Sequence, residues 1–107
     1  MITTDTNDTM AAYLIADIEI TDPVGYEEYR KRVPSVISAH GGRFLARGGA
    51  IESLEGSWIP KRLVIVEFPD MAALKSFYHS PAYRPLIELR NRCAKSALLA
   101  VEGVPPS

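Results

Sequence analysis

The hydrophobic pattern is strongest between Arg62 and Phe68, where the run RLVIVEF is apolar almost without interruption. A strand with one face in water alternates apolar and polar residues. A nearly continuous apolar run is instead expected where a sheet is covered on both sides. This stretch therefore predicts a central strand with two buried faces.

Other stretches alternate with the period of two that is typical of strands. Residues 12–21 place a fully apolar set on one face and a mixed set on the other. Residues 43–47 and 96–102 repeat this alternation. The pair Gly48-Gly49 is typical of a bulge or turn, and residues 50–54 after it predict a short additional strand.

Between these strands the spacing of apolar residues changes to three and four, as in an amphipathic helix. Asp22-Pro23 predicts the start of the first helix, since Asp is a good N-cap and Pro is tolerated at the first helical position. The pattern continues to His40, and the two glycines that follow are expected to end the helix. Pro34 is expected to bend or interrupt it.

A second helical region follows the central strand. Asp70 is the predicted N-cap of a helix over residues 71–79, and Ser80-Pro81 is expected to break it. The helical pattern then resumes from Leu86 to Cys93.

The resulting order, β-α-β-β-α-β, predicts an α+β protein of ferredoxin-like architecture. In this fold a four-stranded antiparallel sheet carries both helical segments on one face.

The two faces of this sheet differ in chemistry. The apolar layer under the helices is expected to contain Leu14, Ala16, Ile18, Phe44, Ala46, Val64, Val66, Phe68, Leu99 and Val101. The opposite face is expected to carry the aliphatic Ile15, Leu45, Leu63, Ile65 and Leu98 among the charged Asp17, Glu19, Arg43, Arg47, Glu67 and Glu102. If those five aliphatic side chains stayed exposed to water, each subunit would lose on the order of 12 kcal/mol of hydrophobic stabilisation. No helix remains to cover them, so a homodimer formed sheet against sheet is predicted.

Composition limits the partners and the compartment. The 107 residues, 47% hydrophobic and 23% charged, are typical of one globular domain. A net charge of −1 without a basic tract argues against nucleic acid, and the apolar runs are too short to span a membrane. Residues 1–10 have no features of a secretory signal and are interpreted as a disordered or weakly ordered extension to a domain over residues 11–104. The single cysteine indicates a reducing, cytoplasmic setting.

The mixed face also holds the first candidate chemistry. Asp17 and Glu67 are expected on neighbouring strands, with Arg47 on the next strand facing the same way. Two carboxylates beside an Arg in a partly apolar cavity can serve as an acid or base next to an ionised partner. The alternative is a paired polar network where two sheets meet, because a dimer interface must satisfy the charges it buries.

The histidines are weaker candidates. His79 lies beside a helix break, near the rings of Tyr78 and Tyr83, and is a candidate cleft residue. His40 falls in the last turn of a helix, where a cation is favourable without any catalytic role. Nothing at ligand spacing indicates a metal site, and no cofactor is expected.

Two functions remain open on these residues. In the first, the chain binds a small apolar or aromatic metabolite. In the second, it is a cofactor-independent enzyme acting on a small carbonyl or enol compound. Here Asp17 or Glu67 would move a proton, Arg47 would hold an anionic oxygen, and Tyr78 with Trp58 would wall the pocket.

The sequence also resembles a known family, the DUF1330 proteins of the dimeric α+β barrel superfamily. The motifs are AYLIADIEITDP, YEEYRKRVP, HGGRFLARGG, LEGSWIPKRLVIVEFPD, SPAYRPLIELR and the closing VEGV, which together extend from about Ala11 to Val104. A mild departure is Phe77, where similar sequences often carry Trp. The resemblance implies the fold and a sheet-to-sheet dimer, and the family itself implies no activity. The wider superfamily resembles a mix of functions that includes cofactor-independent monooxygenases and isomerases, so the catalytic alternative would be a monooxygenase- or isomerase-like proton transfer.

Overall fold

A computed structural model describes residues 10–105 of the chain. The predicted extension over residues 1–10 lies outside this range except for its last residue. Seven elements follow in the order β1 (Ala12–Ile20), α1 (Pro23–Ala39), β2 (Arg43–Arg47), β3 (Leu63–Phe68), α2 (Met71–Tyr78), α3 (Arg84–Cys93) and β4 (Ala94–Glu102).

The strands form one four-stranded sheet in the order β2-β3-β1-β4, and each neighbouring pair is antiparallel. The predicted α+β, ferredoxin-like class is confirmed, with the second helical segment divided into α2 and α3. The order places the apolar β3 and the long β1 at the centre, where each has a hydrogen-bonded neighbour on both sides.

The core lies between one face of the sheet and the helices. Side chains of all three helices and of β1 and β3 belong to a single buried apolar cluster. Its largest fully buried members are Tyr83, Phe68, Phe77 and Leu86. The Phe77 ring packs at 4.3 Å from the Tyr83 ring and 5.3 Å from the Phe68 ring, which ties α2 to both α3 and the sheet.

Helix α1 begins as predicted, with the Asp22 carboxylate accepting from the Gly25 amide at 3.2 Å. The helix ends just before the two glycines, as predicted. Gly41 has φ +80°, and the Gly42 amide donates to the Ile37 carbonyl at 3.0 Å. Pro34 does not interrupt the helix, which is continuous through it. That part of the prediction was wrong.

The predicted strand over residues 50–54 is also absent. Residues 48–62 form an exposed irregular connection between β2 and β3. A strand needs a hydrogen-bonded neighbour, and on the described part of the chain none lies beside this segment. The connection holds the exposed side chains of Leu54, Trp58 and Ile59.

Strand β4 faces the opposite way from the prediction. Its register pairs Leu98 with Ala16 and Leu99 with Ile15. Directly paired residues share a face of the sheet, so Leu98 lies under the helices while Leu99 and Val101 lie on the other side. Glu102, paired with Ala12, is likewise assigned to the helix side.

A β-bulge changes the facing of β2. Phe44 pairs with Val66, but Ala46 pairs with Ile65 and Arg47 pairs with Val64. The extra residue turns Ala46 to the outer face of the sheet and Arg47 to the helix side, the reverse of the predicted arrangement.

The outer face remains largely uncovered in a single chain. Leu45, Leu99 and Val101 are 45–58% exposed there, and Ile15 and Ile65 are only half-buried. Among residues 10–105, no helix is both long and apolar enough to cross a membrane.

Candidate functional site

A narrow cavity lies between the inner face of the sheet and helices α1 and α3. The space inside it that water can occupy is about 30 Å³, enough for about one or two water molecules. The walls are mostly aliphatic and aromatic, contributed by β1, β3, β4 and the helices. Its polar lining consists of Tyr26, Tyr29, Tyr83, Arg30, Arg47 and Arg90.

Helix geometry brings these polar groups together. Tyr26 and Tyr29 are three residues apart on the buried side of α1, and their rings are 5.4 Å apart. Tyr83 immediately precedes α3, and Arg90 follows it by seven residues, or two helical turns. The packing of α1 against α3 therefore places three phenol rings and one guanidinium at the same end of the core.

Three of these side chains form a buried hydrogen-bonded cluster. Arg90 Nη1 donates to the Tyr83 hydroxyl at 2.6 Å, and the hydroxyls of Tyr83 and Tyr29 are 2.8 Å apart. The Arg90 guanidinium carbon also lies 5.8 Å from the centre of the Tyr29 ring. Tyr83 is 1% exposed and Arg90 is 4% exposed, so the cluster has almost no contact with solvent.

Burial favours the neutral form of two of the phenols, those of Tyr26 and Tyr83. It raises the pKa of Tyr83 far above its ordinary value, with a further rise from Tyr29 that outweighs the opposing effect of Arg90. Burial also raises the pKa of Tyr26, despite the nearby Arg62. These groups are therefore hydrogen-bonding phenols at neutral pH, and they are not phenolates.

Arg47 and Arg62 extend the positive charge toward β2. The Arg62 guanidinium lies 5.6 Å from the centre of the Tyr26 ring, and Arg47 lies 4.4 Å from the centre of the Phe44 ring. The pKa of Arg47 is lowered, first by burial and then by the positive charges of Arg30 and Arg62. The guanidinium groups thus repel one another across this part of the core.

Arg47 also has a structural role. Pro34 lacks the amide hydrogen that would bond to the carbonyl four residues earlier, that of Arg30. The Arg47 side chain donates Nη2 to this carbonyl. The substitute bond accounts for the continuity of α1 through its proline.

Few of the arginines have an acidic partner. In residues 10–105 the ion pairs are Arg30 with Glu27 at 2.9 Å and Arg43 with Glu67 at 2.7 Å. Arg47, Arg62 and Arg90 are in neither pair. The Nε atoms of Arg62 and Arg90 are buried without a hydrogen-bond partner in this part of the chain.

The predicted carboxylate pair is not assembled. Asp17 and Glu67 do share the outer face, but Asp17 pairs with Leu63 and Glu67 pairs with Tyr13. The two positions are four residues apart along the strands, or roughly 13 Å. Each carboxylate is bound separately, so the two do not form one acid–base site.

The partners of these carboxylates explain their placement. Asp17 accepts from Trp58 Nε1 at 3.3 Å and from the Lys61 amide at 3.2 Å, which holds the β2–β3 connection against β1. Glu67 accepts from Arg43 Nε at 2.7 Å and from the Tyr13 hydroxyl at 3.0 Å. These two bonds lower the pKa of Glu67. The prediction that Arg47 faces the same way as Glu67 was wrong, because the bulge turns Arg47 to the other face.

The remaining predicted residues divide between the cavity and the surface. Tyr83 and Arg47 line the cavity. Tyr78 and His79 instead border a shallow groove between α2 and β4, with their rings 5.3 Å apart. Trp58 is 66% exposed on the outer side, so the prediction that it walls a common pocket with Tyr78 was wrong.

The sequence interpretation missed Tyr26, Tyr29 and Arg90 as site residues. Both tyrosines match the three- and four-residue spacing of a buried helix stripe, which indicates packing and carries no sign of chemistry. The available signal was the recurrence of hydroxyl-bearing rings along that stripe, together with an Arg on the buried side of α3. No three His, Cys, Asp or Glu side chains within residues 10–105 are arranged to hold a metal ion.

Comparison with known proteins gives a family and a fold. The model of a family described as "Domain of unknown function (DUF1330)" matches residues 11–104. No curated protein sequence is significantly similar to this chain.

Several solved structures share the fold at low sequence identity. A protein of unknown function from Rhodopseudomonas palustris has a TM-score of 0.71 and 19% identity, covering 91% of this chain and 85% of its own. SnoaB, a cofactor-independent oxygenase from Streptomyces nogalater, has a TM-score of 0.58 and 11% identity, with coverage of 90% and 94%. A dimeric ferredoxin-like protein of unknown function from Thermobifida fusca has a TM-score of 0.55 and 13% identity, with coverage of 89% and 92%.

The Arg43 contact can be tested by titration. We expect Arg43→Gln to raise the pKa of Glu67, measured by NMR of its side-chain carboxyl carbon, and the matched Arg47→Gln to leave it unchanged. Because the folded-state pKa is depressed, the stability that Arg43 provides is complete above the unfolded-state pKa of Glu67. It is lost as the pH falls through the folded-state pKa. A shift caused by Arg47→Gln alone would contradict the observed pairing.

Proposed function

Because the chain belongs to the DUF1330 family, as its sequence motifs predicted, and the family description names no activity, we propose its function from the cavity itself. The protein binds a small apolar or aromatic metabolite between the sheet and helices α1 and α3. The observation that carries this proposal is the buried cluster of Tyr29, Tyr83 and Arg90 at the edge of an otherwise apolar cavity.

The cavity has the composition of a ligand site. Such sites are largely apolar, with a few polar groups that fix the orientation of the ligand. Here Leu14, Ile18 and Val33 are among the apolar walls, while the phenols and Arg90 supply hydrogen-bond donors. Because the water-accessible space is only about 30 Å³, binding of a metabolite requires the walls to move apart.

A catalytic alternative is less well supported by the lining. SnoaB is described as a cofactor-independent oxygenase, and the fold it shares with this chain keeps such an activity open. An enolate oxygen could be stabilised by Arg90 and the phenols. However, no carboxylate or imidazole lines the cavity within the described residues, and Asp17 and Glu67 lie on the other face of the sheet. Without a positioned base the cavity fits binding better than proton transfer.

We further propose that a second copy of the chain covers the outer face of the sheet. The exposed side chains of Leu45, Leu99 and Val101 form the apolar part of that surface. The Thermobifida fusca relative is described as dimeric. Two sheets packed face to face would bury these side chains and leave each cavity under its own helices.

Ligand capture tests the binding proposal. Native mass spectrometry after incubation with a metabolite extract should show a retained small molecule on the unmodified protein. Ala16→Leu, which adds volume to the cavity wall, should abolish retention. Ala72→Leu, which adds the same atoms at an exposed site on α2, should preserve it. Equal retention by both variants, with folding verified by circular dichroism, would place the ligand elsewhere and overturn the proposal.

Assembly is tested separately. Light scattering of the unmodified protein should give the mass of a dimer, and Leu99→Glu should give a monomer because it places a charge in the apolar outer face. The control Val24→Glu changes a side chain that is 84% exposed on α1 and should remain dimeric. An unmodified protein that is monomeric at tens of micromolar would contradict the proposal.

A further inference from the structure

We propose that the ligand is an organic anion, of the class of aromatic or unsaturated carboxylates, whose carboxylate binds Arg90 together with the Tyr29–Tyr83 hydroxyl pair. This inference rests on the proposed function, since it specifies which small molecules the same cavity accepts.

The first support is the charge of Arg90. A guanidinium stays protonated in proteins, and a buried charge is costly unless it is paired. Arg90 is 4% exposed, and no carboxylate of residues 10–105 lies within ion-pair distance of it. Its hydrogen-bond partner Tyr83 is a neutral phenol, because burial raises the pKa of that hydroxyl. The cavity therefore contains a positive charge without a counter-charge in the described chain.

The second support is a count of hydrogen atoms in the phenol pair. Tyr29 and Tyr83 have two hydroxyl hydrogens, and their mutual hydrogen bond uses one of them. If Tyr29 donates, Tyr83 accepts from both Tyr29 and Arg90 and has its own hydrogen left over. If Tyr83 donates, the hydrogen of Tyr29 is left over. In either arrangement one phenolic donor remains available to an acceptor in the cavity.

The third support is the guanidinium itself. Nη1 is used by Tyr83, whereas Nε is buried and has no partner among the described residues. Because Nε is enclosed by protein, a carboxylate can reach it only when the neighbouring side chains shift, and the carboxylate could then accept two parallel hydrogen bonds from the guanidinium. The unpaired positive charge and the unused phenolic hydrogen both favour an anionic acceptor.

The apolar walls indicate that this anion is organic. Apart from the phenols and arginines, the cavity is lined by apolar side chains such as Leu14, Val33 and Phe77. An apolar body attached to the carboxylate would contact these side chains once the walls have moved apart, and it would exclude water, which strengthens the charged hydrogen bonds.

The test compares acids with amides of the same shape. Calorimetric titrations at neutral pH would use benzoate and naphthoate as probes, with benzamide and naphthamide as their neutral counterparts. We expect each acid to bind at least about tenfold more tightly than its amide, a difference of about 1.4 kcal/mol. Arg90→Met should remove this preference. Arg92→Met, on the exposed side of the same helix, should retain it.

The outcomes separate the two proposals. Equal binding of acid and amide by the unmodified protein would overturn the anionic ligand and leave the binding function standing. A preference that survives in Arg90→Met would overturn the assignment of Arg90. No binding by any of the four probes at millimolar concentrations would count against both proposals. If Arg90→Met does not fold, NMR of the unmodified protein decides, since the Arg90 Nε–H resonance should shift with the acids and not with the amides.

Discussion

The main physical constraint on the helix side of the sheet is the buried guanidinium of Arg90, which has no carboxylate partner among residues 10–105. It lies within the layer between sheet and helices, bonded to Tyr83, which in turn contacts Tyr29 of α1 and packs against Phe77 of α2. One cation thus connects the three helices at the point where the core opens into a cavity. A core built only for stability would place an apolar side chain there, because a buried charge without a partner costs free energy. The proposed anionic ligand would supply the counter-charge that the described chain lacks here.

The two faces of the sheet differ in structure and in the charges they carry. The inner face holds the cavity, and the outer face carries exposed aliphatic side chains among the ion-paired Arg43 and Glu67. The bulge in β2 separates the two sets of charges, because it directs Arg47 inward to the Arg30 carbonyl that Pro34 leaves without a helical partner. On the outer face Arg43 and Glu67 neutralise each other's charge. On the inner face Arg47 and Arg90 have no carboxylate partner among residues 10–105.

The sequence predicted the order of elements because capping residues, glycines and apolar periodicity are local signals. It did not predict the facing of β4, since Leu98 and Leu99 are equally apolar and a shift of one residue exchanges the faces. No particular residue type at positions 44–46 signals the bulge, which reverses the predicted facing of Arg47. The site was missed for a related reason: Tyr26 and Tyr29 match a buried stripe, and only the packing of α1 on α3 shows that their hydroxyls meet Arg90.

The most direct test of this account is the unfolding free energy of the ligand-free protein with and without Arg90. Denaturant unfolding of the unmodified chain and of Arg90→Met, which keeps much of the apolar stem, should give equal stability or a variant about 1 kcal/mol more stable, because an unpaired buried charge has been removed. A variant that loses about 3 kcal/mol or more would show that Arg90 is a satisfied structural residue. That result would contradict the assignment of the cavity as an anion site.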